Sequence, residues 1–278
     1  MRSRTLAATA AVLLSIPVTA THAAPEPAWR PIDAANTLVI ETSKGRVIVE
    51  LYPLVAPNAV AQVETLARQH FYDGLTFFRV VDGFMDQTGD PLNSGKGASS
   101  LPNLKGEFDF KFAPGAAAGV SDALDLPGAS LGFVGTLPIA GQPAAMAALT
   151  VDGKVRGLGL FCAGVMGMAR AQDPDTANSQ FFLMRNEHQD LDGKYTPVGR
   201  VVVGLDAVRA IKAGEPVPDP QDRMVSVKIL ADMPEGARPK LLVEDTSSEA
   251  FKAKVAATRA AKPDAFDPCA IPIAVRVS

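Results

Sequence analysis

Short β-branched runs broken by turn residues dominate the middle of this chain, and they exclude most architectures. Leu38-Val39-Ile40 and Val47-Ile48-Val49-Glu50-Leu51 flank Ser43-Lys44-Gly45, which reads as a hairpin. Further strands are predicted over 76–81, 84–88, 164–168, 180–184, 199–203 and 224–230. Two helical patterns accompany them. One starts at Pro57, a first-turn position where proline is tolerated, and carries Val60, Val63, Leu66 and Ala67 at helical spacing as far as Gln69. The other fits 206–212, stopped by Gly214. A parallel βαβ sheet needs a crossover after most strands, and those helices are missing. The pattern predicts an all-β barrel or sandwich.

Composition narrows the function. At 278 residues and 47% hydrophobic, the chain can bury a sizeable core. Its net charge of -3 leaves no electrostatic footprint for nucleic acid. Two cysteines cannot make a four-Cys or three-Cys zinc site, and the histidines are His22, His70 and His188. Metal chemistry and histidine-rich catalysis are disfavoured.

The N-terminus reads as an address. Arg2 and Arg4 precede an apolar run from Leu6 to Ala20, and small residues precede Ala24, so a secretory signal peptide cleaved after Ala23 is expected. The run is too short for a membrane span and holds Pro17. Cleavage removes two arginines and no acid, leaving 25 basic and 30 acidic residues, a net charge of -5. A periplasmic or secreted protein in an oxidising compartment is expected.

Residues 24–35 form an Ala- and Pro-rich leader that holds Trp29. Residues 111–163 are Gly-, Ala- and Pro-rich and long for a loop, so they are functional or separately structured. Within them a hairpin is predicted over 149–156, turning at Asp152-Gly153. The tail from Pro234 is punctuated by prolines, with a helix predicted over 248–261.

Three stretches carry chemistry. The first runs F-F-R-V-V-D-G-F-M-D-Q-T-G-D from Phe77 to Asp90. The second runs G-V-M-G-M-A-R-A-Q-D-P-D-T-A-N-S-Q-F-F from Gly164 to Phe182. The third runs L-D-G-K-Y-T-P-V-G-R-V-V-V-G-L-D-A-V from Leu191 to Val208. With the opening hairpin and the Pro57 helix, they closely resemble the cyclophilin family of peptidyl-prolyl cis-trans isomerases, in order over 36–232. The resemblance implies a closed eight-stranded antiparallel β-barrel capped by two α-helices, here with a long insertion and a C-terminal extension over 233–278. It places the catalytic arginine on Arg79 and the substrate-anchoring glutamine on Gln87. The proline pocket falls on Phe84, Met85, Phe182 and Leu191, with Tyr195 beside it. Ala169 and Arg170 match the edge segment whose backbone takes the substrate as an added strand, and Gln180 matches a second amide. No metal or cofactor is implied. Proline-containing polypeptides are the expected partners, with no nucleic acid, no membrane insertion and a monomeric state.

The residue types suit that chemistry. Rotation about X–Pro faces a barrier of about 18–20 kcal/mol, because the amide is resonance-stabilised. No bond breaks, so no nucleophile is needed. A catalyst must favour the twisted amide, whose nitrogen regains a lone pair. A fixed guanidinium can hydrogen-bond that nitrogen more strongly in the transition state than in the ground state. An apolar pocket holds the ring and excludes water. Arginine stays protonated, so this step should be flat with pH.

Read one by one, these residues have plainer explanations. A strand arginine is usually a solvated side chain, and buried Phe and Met are usually core. The three motifs together favour the site. Departures from the family also stand out: Asp190 replaces a tryptophan or histidine, Tyr195 a histidine and Arg170 an asparagine. The macrocycle cyclosporin uses that tryptophan, so its binding should be weak.

Two other functions compete. Gly128-Ala129-Ser130-Leu131-Gly132 fits the G-x-S-x-G nucleophile elbow of α/β-hydrolases, although the glycines and prolines after it leave no room for the helix that the elbow needs. A cyclophilin-like module could also hold proline segments as a chaperone or assembly factor with little turnover. For Cys162 and Cys269 the sequence leaves two outcomes open, a bridge in an exported chain or a buried free thiol at Cys162.

Overall fold

Ser43 and Lys44 turn the chain so that Thr42 pairs with Gly45, and alternate residues of both strands fall on a common face. The same logic repeats along the chain. The computed structural model describes residues 26–114, 120–126, 129–263 and 266–278, so the expected signal peptide lies outside the described residues. In chain order, β1 (Trp29–Pro31) leads to β2 (Thr37–Thr42), β3 (Gly45–Leu51) and α1 (Pro57–Arg68). Next come β4 (Arg79–Val81) and β5 (Met85–Thr88), then β6 (Phe110–Phe112), β7 (Val120–Leu126), β8 (Ala129–Val134), β9 (Leu137–Gly141) and β10 (Val155–Gly159). The chain continues through β11 (Val165–Met168), β12 (Phe181–Met184), β13 (Pro197–Val203), α2 (Leu205–Arg209) and β14 (Met224–Ile229). The tail adds β15 (Leu241–Glu244), α3 (Glu249–Ala261) and β16 (Val275–Val277).

The main sheet has eight antiparallel strands in the order β14-β2-β3-β13-β11-β12-β5-β4. It curls so that residues 74–77, just ahead of β4 at one end, reach the start of β14 at the other. Gly74 N–H donates to Met224 O, Met224 N–H to Leu75 O and Phe77 N–H to Asp222 O, at 2.7, 2.9 and 2.9 Å. The two caps cover apolar surface of this sheet. Ala59, Val60, Val63, Leu66 and Ala67 of α1 and Ala207 and Val208 of α2 join a core with Leu38, Val49, Met166, Phe181 and Val227. The α1 N-terminus has no side-chain cap from Ala56. Instead the Glu107 carboxylate accepts from the N–H groups of Asn58 and Ala59 at 3.1 and 2.9 Å, where a negative charge suits the helix dipole. The second helix is shorter than expected, because Lys212 N–H leaves the helix for the Asp222 carboxylate at 2.8 Å.

The insertion is a sheet of its own, in the order β6-β10-β9-β8-β7. The hairpin predicted over 149–156 does not form. Both edges of β10 are taken, by β6 and by β9, so 149–151 has no strand to join. Ala144–Leu149 coils as a 3-10 turn instead, and Leu149 and Val151 stand exposed. The turn itself is present, with Gly153 at φ +63° and Asp152 paired to Lys111 at 3.0 Å. Ser130 lies inside β8 with its hydroxyl donating to Gln142 O at 3.0 Å, and β9 follows rather than a helix. That geometry is not a nucleophile elbow.

Leader and tail meet in a third sheet, β1-β15-β16, where Arg276 lies over the Trp29 ring at 3.8 Å. The helix predicted over 248–261 forms as α3, capped by Ser248, whose hydroxyl accepts from Phe251 N–H at 3.1 Å. Cys162 and Cys269 are bonded, with Cα atoms 5.1 Å apart.

Candidate active site

The β4–β5 hairpin sets the site. Its register opposes Arg79 to Gln87, Val80 to Asp86 and Val81 to Met85, and β12 places Phe182 opposite Gln87. Strand alternation sends Met85 and Gln87 to one face and Asp86 to the other. The Asp82-Gly83 turn, with Gly83 at φ +72°, delivers Phe84 to the first of these faces.

There a cavity of about 200 Å³ opens, lined by Arg79, Phe84, Met85, Gln87, Ala169, Arg170, Phe182, Leu191 and Tyr195. Every predicted site residue except Gln180 is in that lining. Gln180 lines an adjoining cavity of about 360 Å³ that shares Gln87, Ala169 and Arg170. The floor is aromatic: Phe182 stacks on Phe161 at 5.8 Å, and Tyr195 meets Phe182 edge-on at 5.8 Å. Such pairs hold rings in fixed orientations. His188 packs on the Phe84 ring at 4.4 Å.

A chain of amides and one guanidinium crosses the cavity mouth. Arg79 Nη1 donates to Gln87 Oε1 at 3.3 Å, Gln87 Nε2 to Gln180 Oε1 at 2.9 Å, and Gln180 Nε2 to Gly97 O at 2.8 Å. Arg79 Nη2 also lies 3.4 Å from the Glu215 carboxylate. Arg170 is held differently. Its guanidinium donates to the carbonyls of Lys194, Ala171 and Gln172, at 2.9, 2.9 and 3.2 Å, and lies 4.5 Å over the Tyr195 ring. It braces the pocket wall as well as adding charge.

Behind the pocket lies a buried ion pair. Asp86 has no solvent exposure, and Arg185 Nε lies 3.6 Å from its carboxylate. Burial pushes the Asp86 carboxyl up to about 7, opposed by Arg185 and reinforced by Asp82 and Asp222. Arg185 also reaches Asp82 at 3.4 Å and donates to the carbonyls of Arg209 and Ile211. Burial likewise raises Asp192 to about 6, against the pull of Phe161 N–H, which donates to it at 2.7 Å. Among the described residues, Glu187, Asp267 and Cys269 cluster closely enough to suggest a metal, but the Cys269 sulfur is already in the disulfide.

Sequence reasoning missed Phe161, His188, Glu215 and the Asp86–Arg185 pair. Asp86 carried a signal, an acid among Phe84, Met85 and Val80 neighbours, whereas Arg185 and Glu215 reach the site from other elements. Chemically, the arrangement presents a fixed cationic donor and two amides at the rim of an apolar slot. It contains no paired nucleophile and base.

The family model for cyclophilin-type peptidyl-prolyl cis-trans isomerases matches residues 37–231. The chain belongs to the cyclophilin family. Relatives of this cyclophilin include a probable peptidyl-prolyl cis-trans isomerase of Brucella suis, 36% identical over 232 residues, 82% of this chain and 95% of that one. The human peptidyl-prolyl cis-trans isomerase-like 1 is 31% identical over 215 residues, covering 77% and 99%. Among solved structures, cyclophilin AquaCyp293 from Hirschia baltica superposes with a TM-score of 0.80 at 34% identity, over 90% of this chain and 93% of that chain. Asp190, where the resemblance implies a tryptophan or histidine, is exposed and lies 3.4 Å from His188 Nδ1.

Proposed function

We propose that this cyclophilin catalyses X–Pro rotation in exported polypeptide clients and so assists their folding. The observation that carries the reading is Arg79, held by Gln87 at 3.3 Å on the rim of a cavity floored by Phe182, Met85 and Leu191. The proline ring enters the cavity. As the amide twists, its nitrogen loses conjugation and accepts an N–H from Arg79, while Gln87 holds the carbonyl side. Because the charged donor is already oriented, little reorganisation accompanies the rotation.

Export is supported by the N-terminal pattern and by the Cys162–Cys269 bond, which suits an oxidising compartment. On this reading residues 1–23 are removed and the product works as a monomer in the periplasm or outside the cell. Asp190 supports weak cyclosporin binding.

The deciding experiment is Arg79→Ala assayed on a short proline peptide. The side chain is 40% exposed, so the fold should survive its loss. kcat/KM should fall about a hundredfold, as when a preorganised donor is removed. Undiminished activity would overturn the mechanism, and no turnover even in the parent protein would favour the proline-binding chaperone.

A further inference from the structure

Glu215 lies on the segment between α2 and β14, and backbone pairing fixes it beside Arg79. Val80 and Gly214 exchange both N–H···O bonds, at 2.9 and 2.8 Å, and Val217 N–H donates to Phe78 O at 3.0 Å. Residues on either side of Glu215 are thus tied to both chain neighbours of Arg79. Gly214 permits the tight path, since a Cβ there would lie 2.7 Å from Pro218 Cδ and 2.8 Å from Pro216 O. The Glu215 carboxylate consequently sits 3.4 Å from Arg79 Nη2, yet stays 47% exposed.

Two further cavities of the surface groove adjoin at Gln87 and Gly95, which line both. On one side, the cavity that holds Gln180 carries Lys96 and Arg170 in its lining. On the other, a cavity of about 300 Å³ is lined by Phe78, Asn93, Ser94, Glu215 and Pro216, together with Arg79 and Gln87 themselves. The first flank is cationic and the second carries a carboxylate. An extended chain with its proline in the pocket must run past Arg79, whose unshielded charge would repel a client lysine or arginine. Glu215 offsets that charge. Its contact with Arg79 is long and solvated, so the carboxylate is free to bridge Arg79 and a second cation.

We propose that Glu215 is a specificity-determining residue that draws a lysine or arginine of the client into the cavity beside Arg79, next to the isomerising proline. The proposal rests on the isomerase reading and names the substrate class that this site prefers.

The test uses the full protein and Glu215→Gln, with short peptides carrying Lys, Ala or Glu on either side of the X–Pro bond. The Lys-to-Glu ratio of kcat/KM should be roughly fivefold, the upper size of an exposed ion pair. It should shrink as salt is added and collapse towards one in Glu215→Gln. No charge preference in the parent protein, or the same preference in the variant, overturns the proposal. An equal loss on all three peptides also overturns it, since that would make Glu215 a support for Arg79 alone. If no peptide is turned over, the isomerase reading has failed, and calorimetric titration with the same peptides reads the charge preference directly. Tighter binding of the Lys peptide by the parent protein alone supports the proposal, and equal affinities sink it.

Discussion

Asp86 is a carboxylate in the wrong medium. It has no exposure, neither oxygen is hydrogen-bonded, and its companion charge on Arg185 stands 3.6 Å away. Leaving water disfavours the ionised form, and its carboxyl titrates near 7. The unfolded chain, at about 3.9, releases its proton earlier. Between those values the folded state binds a proton that the unfolded state has lost, so this group makes stability fall as pH rises from about 4 to 7. Asp86→Asn mimics the protonated form. Urea midpoints at pH 5 and pH 8 should therefore differ less in the variant than in the parent, and an identical pH response in both would refute the assignment. The acid was passed over in the sequence, where it follows Phe84 and Met85 but stands in a strand that also holds Gln87 and Thr88. Its partner was hidden too, because Arg185 comes from the end of β12 and nothing in local spacing links the two.

Between strands, the pocket depends on an absence of bulk. Gly167 in β11 faces Phe182 across the ladder, and a Cβ there would lie 2.6 Å from both Phe161 Cε1 and Phe182 Cζ. Gly167→Val should push the Phe182 ring towards the cavity, raising KM about tenfold at a stability cost of about 1–3 kcal/mol. Peptide kinetics on variant that still unfolds cooperatively checks this, and an unchanged KM would show that the ring has somewhere else to go. The pocket strands were readable because Phe77 to Asp90 and Gly164 to Phe182 combine β-branched or aromatic runs with turn residues. The insertion sheet was not. Its β8 contains Ser130 and Gly132, and β9 contains Pro138, so hydrophobic alternation there is too weak to mark strands. The mistaken hairpin over 149–156 followed from the same weakness. Asp152-Gly153 is a good turn, but the partner strands lie far along the chain.

At the scale of the molecule, the additions to the barrel hold one another. The tail packs α3 on the insertion, where Phe251 meets Phe133 edge-on at 5.1 Å, and Val255 and Ile271 join them. The leader strand β1 pairs with β15, and Arg30 reaches Glu50 of β3 at 2.7 Å. The Cys162–Cys269 bond then ties tail to barrel beside Phe161, the ring beneath Phe182. With the cysteines 107 positions apart in the sequence, the chain-entropy model gives roughly 4–5 kcal/mol as an upper figure for the bond. Cys269→Ser should lower the urea midpoint by an amount within that bound. Because Cys162 adjoins Phe161, kcat/KM on a neutral peptide should also fall, by less than in Arg79→Ala. Adding reductant to the parent protein should reproduce the midpoint shift and have no further effect on Cys269→Ser. A midpoint that moves with neither treatment would mean that the tail is held by its apolar contacts and strand pairing, with the disulfide adding nothing to the folded state's advantage.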